Sequence, residues 1–204
     1  MTQRIGITGG IGSGKSTICQ IFKLLHIPIY NADMRAKLLM ESNPEIREAL
    51  IIRFGATIYL PSGGLNKAAL ANIIFNDTNA LAIVNAIVHP RVDEDFSKWA
   101  LQYEPYAYVI KEAAILFENG GYKHLDANIL VTAPVALRIA RCLRRDGSSA
   151  EAVEKRIANQ WDDARKITLA QYIITNDNNT PLIPQVLQIH ETLNLTHTRY
   201  GKIC

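Results

Sequence analysis

The sequence predicts an α/β fold built on a five-stranded parallel sheet, and three observations carry that expectation. Five short apolar runs alternate with segments of helical period, as the strands and covering helices of a parallel sheet do. The first run opens into a glycine-rich turn, Gly9-Gly10-Ile11-Gly12-Ser13-Gly14-Lys15-Ser16. A helical stripe and a second apolar run follow, which makes the opening a strand–turn–helix–strand unit. A ligand of such a sheet belongs at the carboxyl ends of the strands.

Residues 4–8, RIGIT, form the first strand. Ile18, Ile21, Phe22 and Leu25 then recur at helical spacing. A second strand is expected around residues 27–31, ending at Asn31 with Asp33 just beyond. Residues 34–104 show no strand pattern away from Tyr59. Ile46, Leu50 and Phe54 suit one helix, and Leu70, Ile73 and Ile74 a second. Leu81, Val84, Ile87 and Val88 begin a third, which Val92, Phe96 and Trp99 continue. His89-Pro90 is expected to bend or interrupt it. The block reads as a helical insertion between strands two and three.

The first half of residues 106–117, YAYVIKEAAILF, is the third strand, and residues 125–134, LDANILVTAP, hold the fourth. Pro134 suits the first position of a helix carrying Leu137 and Ile139. Ser148-Ser149-Ala150-Glu151 has capping-box spacing and opens a helix with Val153, Ile157 and Trp161 on one face. AQYIITN, residues 170–176, is the fifth strand, and Thr180-Pro181 starts the last helix. The chain has no internal repeat and no low-complexity linker.

Composition narrows the function classes. A chain of 204 residues can bury a full core as one domain. A net charge of +3 admits acidic ligands such as nucleotides but is too small to argue for nucleic acid. Aromatic and basic residues are not interleaved as on a nucleic-acid surface. Cys19, Cys142 and Cys204 form no CxxC pair, which speaks against a zinc site or a redox dithiol and suits a reducing compartment. Cys19 is expected in a helix core. The residues before the glycine turn leave no room for a signal-peptide core. No apolar run approaches the about 18–20 residues that span a bilayer. The expected setting is the cytoplasm, with a small-molecule substrate and no membrane or nucleic-acid partner.

The glycine turn satisfies G-x-x-x-x-G-K-[ST]. Glycines let the backbone turn tightly and point successive amides inward as an anion nest. The following helix adds the positive end of its dipole. Gly10, Ile11, Gly12, Ser13, Gly14, Lys15, Ser16 and Thr17 are therefore the expected nucleotide-phosphate residues. Lys15 supplies charge for the β- and γ-phosphates, and the Ser16 hydroxyl is the expected Mg2+ ligand.

The rest of the chain selects among proteins with such a loop. A GTPase needs a base-reading NKxD element, yet Asn66-Lys67 continues into Ala68-Ala69 within the helical block. A large ATPase wants more chain and a clear acidic strand end, whereas the third strand ends in Lys111-Glu112. What remains is a small P-loop kinase. Asp33 is placed to accept the proton of a hydroxyl acceptor or to aim its lone pair. It also suits a helix N-cap, and the two roles are compatible. Residues 34–104 give room for a second substrate. Arg138, Arg141, Arg144 and Arg145 cluster after the fourth strand with no acid among them. Arg138, Arg141 and Arg145 share a helix face, which suits either phosphate clamping, with Arg141 foremost, or a solvated basic surface.

The ordered motifs resemble the dephospho-CoA kinase family. They are ITGGIGSGKST in the loop, IPIYNAD after the second strand, His89-Pro90 in the insertion and ILFE at residues 115–118. RCLRRDG, KRIANQ and Asn176 complete the series. The resemblance implies a P-loop kinase with a helical acceptor-binding insertion over residues 34–104 and a small helical lid over residues 138–165. It implies transfer of phosphate from ATP to the ribose 3′-hydroxyl of dephospho-CoA; another small-metabolite or nucleoside kinase is the alternative. Carried over by residue, Lys15, Asp33 and Arg141 are catalytic, Ser16 holds Mg2+, and His89 lies with Asp33 in the acceptor region. The chain departs from the family pattern at Asn31, Glu112, Ala114 and Gln171. A neutral amide at Asn31 cannot be a base, so Asp33 would carry that role alone.

Overall fold

The computed structural model describes residues 2–147 and 149–200. Among them, five strands form one all-parallel sheet in the order β2-β3-β1-β4-β5. The strands are β1 (Gln3–Thr8), β2 (Ile29–Asn31), β3 (Tyr108–Glu112), β4 (Ala127–Thr132) and β5 (Tyr172–Thr175). The central three are buried along most of their length, and the edge strands β2 and β5 are not. This is why the middle of the sheet reads as continuous apolar runs. The contact pattern divides the chain into two units, Ala32–Trp99 and the remainder.

Alternate residues of the strands build one core of the sheet unit on a single face of the sheet. Helix α1 (Lys15–Leu24) contributes Ile18, Cys19 and Phe22 to a cluster with Ile5, Ile7, Ile110, Ile129 and Val131. Helix α9 (Leu182–Tyr200) adds Val186, Ile189 and Leu193. Phe22 meets the edge of Tyr108 with ring centroids 6.4 Å apart. Full burial of each such side chain is worth about 1.5–3 kcal/mol. Tyr108 must satisfy its hydroxyl inside this core, and it does so on His190 Nδ1 at 2.7 Å. Gln171, one of the departures from the family pattern, is stitched to β4: its backbone amide donates to the Asn128 carbonyl and its side-chain oxygen accepts from the Asn128 amide.

Three more helices of this unit follow β4. They are α6 (Val135–Asp146), α7 (Ala150–Ala158) and the short α8 (Asp163–Ile167). Pro134 is the residue before α6, with ψ 137, so the helix begins one position later than the sequence suggests. Ser149 caps α7, accepting from the Ala152 amide at 3.3 Å, and Glu151 is therefore not in the reciprocal capping-box position. Ser148 lies outside the described residues, as does Cys204. Trp161 lies beyond the end of α7, and α8 carries no signal long enough to be read from sequence.

The Ala32–Trp99 unit is helical. It holds α2 (Ala32–Ser42), α3 (Pro44–Phe54), α4 (Lys67–Asn76) and most of α5 (Thr78–Leu101). Asn43 caps α3 and Asn66 caps α4 through their side-chain oxygens. Asn66 thus has a local structural use in place of base reading. Tyr59 and Leu65 make a single antiparallel bridge. Ile46, Leu50, Ile58, Val84, Val88 and Phe96 are buried. Helix α5 continues through Pro90 rather than being interrupted. Arg35 forms a two-pronged ion pair with Asp95, at 2.6 and 2.8 Å. Among the described residues, no helix is long and apolar enough to cross a membrane.

Candidate phosphate-binding site

The glycine loop leaves the carboxyl end of β1 and runs into α1. Its crown is a turn in which the Ser13 amide donates to the Gly10 carbonyl at 3.0 Å. Gly12 occupies the third position of that turn at φ 77, a conformation that glycine adopts without strain. A Cβ on Gly10 would overlap the Arg138 guanidinium, and one on Gly12 the Arg138 backbone carbonyl. The loop is glycine-rich partly because α6 lies against it.

Gly14 is the N-cap of α1; no side chain closes that cap and the first turn holds no acid. Its first amides and its dipole therefore favour an anion, and the helix carries no carboxylate of its own there to compete. Lys15 folds back so that Nζ donates to the Gly9 carbonyl at 2.7 Å. The Ser16 and Thr17 side chains are exposed at the start of the helix. Ser13 is buried, and its hydroxyl faces the body of the loop. Whatever Ser13 gives a ligand, it gives through its backbone.

One carboxylate stands beside the loop. The parallel register pairs Glu112 with Ile7 of β1 and Asn31 of β2, so all three lie at one end of the sheet. Ser16 Oγ donates toward Glu112 Oε1 at 3.5 Å, and Asn31 Nδ2 donates to Oε2 at 2.9 Å. Glu112 is buried at 9% exposure. Burial and then the adjacent Glu112 charge push the Cys19 thiol far above its ordinary range, so it stays protonated. A hydroxyl and a carboxylate are the hard oxygen donors that Mg2+ takes, with phosphate and water completing its shell. Among the described residues there is no cluster of three or more His, Cys, Asp or Glu that would hold a metal alone. Ser16 and Glu112 thus fit Mg2+ delivered with phosphate.

The arginines of α6 do not form a single unpaired row. Arg138 is buried and donates Nε to the Ile11 carbonyl at 3.0 Å, with Asp163 3.7 Å away. Arg141 Nη2 donates to the Asn176 backbone and side-chain oxygens, both at 3.1 Å, and to Asn178 Oδ1 at 2.6 Å. Its Nη1 reaches the Gly12 and Ser13 carbonyls at 3.4 Å. Arg145 instead pairs with Asp146, which Arg156 also approaches. Arg144 lies in the last turn of α6.

Asn176 Nδ2 donates to the Ser13 carbonyl at 2.8 Å. Gln160 accepts from the Ile11 amide at 2.8 Å and donates to the Ala114 carbonyl at 3.2 Å. Chemistry alone did not point to Gln160, Asn178 or Asp163, because Gln160 bonds a distant backbone and the other two meet α6 arginine side chains far away in sequence, neither of which leaves a local pattern.

Asp33 is the second residue of α2, inside its first turn rather than at the N-cap. His89 is half-buried in α5, next to Pro90. Both belong to the Ala32–Trp99 unit, whereas Lys15, Ser16 and Arg141 belong to the sheet unit.

Comparison with known proteins agrees with this geometry. The family model described as dephospho-CoA kinase matches residues 3–181. A dephospho-CoA kinase of Bacteroides fragilis strain YCH46 is 40% identical over 190 residues, which cover 93% of this chain and 92% of the relative. A crystal structure of a Thermus thermophilus protein superposes with a TM-score of 0.78 at 29% identity, covering 94% of this chain and 96% of the other. A dephospho-CoA kinase from Campylobacter jejuni shares the fold, with a TM-score of 0.70 at 24% identity over 96% of this chain and 99% of its own. A phosphate loop of this form, within a match that runs from β1 to the entry of α9, places the chain in the dephospho-CoA kinase family.

Proposed function

We propose that this chain transfers the γ-phosphoryl group of ATP to the ribose 3′-hydroxyl of dephospho-CoA, giving coenzyme A and ADP. The observation that carries this reading is the family match over residues 3–181, which includes the whole phosphate loop. The 3′-oxygen bonds to the γ-phosphorus as the bond from that phosphorus to the β–γ bridging oxygen breaks. ADP leaves with that oxygen.

The chain's own residues divide the work. The loop from Gly10 to Thr17 cradles the phosphates, through amides other than that of Ile11, and Lys15 leaves the Gly9 carbonyl to meet them. Ser16 and Glu112 would hold Mg2+, which neutralises phosphate charge when bound. Arg141 steadies the transferring group from the α6 side. Asp33 accepts the hydrogen bond of the 3′-hydroxyl and takes its proton as the new bond forms. Residues 34–104, with His89, form the acceptor-binding insertion, and residues 138–165 form the lid. The setting is the cytoplasm, with no nucleic-acid or membrane partner.

The test is ATP turnover with dephospho-CoA, with and without Mg2+, scored by ADP and coenzyme A formed. Mg2+-dependent formation of both in equal amounts is expected. ADP formed with another acceptor from a metabolite and nucleoside panel, but not with dephospho-CoA, would overturn the reading.

A further inference from the structure

Ile11, at the crown of the phosphate loop, is gripped through both of its backbone groups. Its N–H donates to Gln160 Oε1 at 2.8 Å, and its carbonyl accepts from Arg138 Nε at 3.0 Å. A peptide unit is planar, with its C=O and N–H pointing in opposite directions. Gln160 therefore fixes the Gly10–Ile11 peptide, whose carbonyl is turned toward the Ser13 amide. Arg138 fixes the Ile11–Gly12 peptide. Glycine flanks Ile11 on both sides, so rotation of either peptide has little steric hindrance. An unheld crown could turn a carbonyl toward the space an anion needs.

The grip is anchored. The other end of the Gln160 amide donates to the Ala114 carbonyl, which Thr8 Oγ1 at the end of β1 also approaches at 3.5 Å. The adjoining Trp161 amide donates to Glu118 Oε1 at 3.1 Å, and Glu118 pairs with the fully buried Lys166 at 2.9 Å. Arg165 lies over the Trp161 ring, 3.2 Å from its centroid. Gln160 thus extends from a fixed segment and ties the loop crown to the ends of two strands.

We propose that Gln160 is a positioning residue for ATP binding: with Arg138 it sets the two peptide planes at Ile11 and keeps carbonyls out of the phosphate site. This rests on the reading of the loop as an ATP-phosphate site. It assigns the Ile11 amide to Gln160 rather than to the nucleotide.

The test compares Gln160→Ala with Gln160→Glu, which keeps an acceptor for the Ile11 amide but loses the donor to Ala114. The first measurement is hydrogen exchange at the Ile11 amide by NMR in the unliganded protein. Exchange should rise about tenfold or more in Q160A and stay near wild type in Q160E, as loss of one hydrogen bond implies. The second is ATP binding by calorimetry without acceptor, with turnover at saturating ATP. Affinity should fall about tenfold in Q160A, with kcat within about twofold; Q160E, whose charge itself disfavours phosphate, is compared by exchange alone. Unchanged Ile11 exchange in Q160A overturns the proposal. So does a fall in kcat with unchanged affinity in Q160A, or Ile11 exchange raised equally in both variants. If Q160A does not fold, Ile11 exchange in Q160E decides, and a rise there overturns the proposal. Wild-type protein that binds ATP but does not use dephospho-CoA would fail the proposed function and leave both readouts in force.

Discussion

Arg141 spends its donors on oxygens that the loop and the β5 exit present: Gly12, Ser13, Asn176 and Asn178. Under the proposed function, a phosphate arriving at α1 meets a guanidinium already ordered, which lowers the entropy lost on binding. Under the same proposal Asp33 faces the opposite requirement, since a proton acceptor must keep its charge until the acceptor hydroxyl arrives. Replacing Asp33 with Asn keeps the shape and removes the basicity. Turnover should fall by about 10²–10⁴-fold, with ATP affinity measured by calorimetry changing by no more than about twofold. Equal loss of ATP binding would make Asp33 a nucleotide or metal residue. Lys15 and Ser16 were marked as candidates by the sequence because phosphate and metal chemistry demand those residue types at a fixed spacing. Gln160 was not, because its partners are a backbone amide and a backbone carbonyl, which any residues could supply.

At the scale of elements, the entry to α9 shows how a turn ties stability to pH. Asp177 accepts from the Thr180 and Asn179 amides at 2.7 and 2.9 Å, and Thr180 Oγ1 donates to its other oxygen at 3.1 Å. The Thr180 amide first, and then that of Asn179, hold the Asp177 carboxyl below the ordinary carboxylate range. A depressed folded-state pKa stabilises above the unfolded value, about pH 4, and that contribution is lost as pH falls through the folded value. Asp177→Ala should therefore melt below wild type at pH 6, and the gap should narrow progressively as pH falls below about 4, as followed by circular dichroism. A gap of constant size would assign the effect to the backbone turn alone. The strands were readable because burial on both faces leaves unbroken apolar runs. Helix ends were less so: two adjacent serines precede α7, and its boundary depends on Ser149 meeting the Ala152 amide. The α6 arginines share helical spacing, but Asp146 beside Arg145 gives that guanidinium a partner of its own.

For the molecule as a whole, the phosphate loop grows out of the central strand, so ligand binding there is coupled to global stability. ATP with Mg2+ at about 100 times its Kd should stabilise the fold by about 2.7 kcal/mol, or about 5–10 °C in Tm for a chain of this size. Lys15→Ala should fold and lose most of that shift in a thermal melt; a full shift in the variant would remove Lys15 from phosphate binding. The sheet class followed from strand–helix alternation. The division at Ala32–Trp99 is a matter of contact density that local periodicity only hints at.

The order in which the site is completed has a consequence for synthesis. A ribosome delivers the glycine loop well before the side chains that shape it. Arg138, Arg141, Gln160 and Asn176 bond to loop residues that lie 127 to 163 positions upstream. A nascent chain that has not been translated through Asn176 carries the motif without the clamps that shape it. Nucleotide binding at the loop should thereby await translation through Asn176, and a fragment that ends before it should bind ATP more weakly.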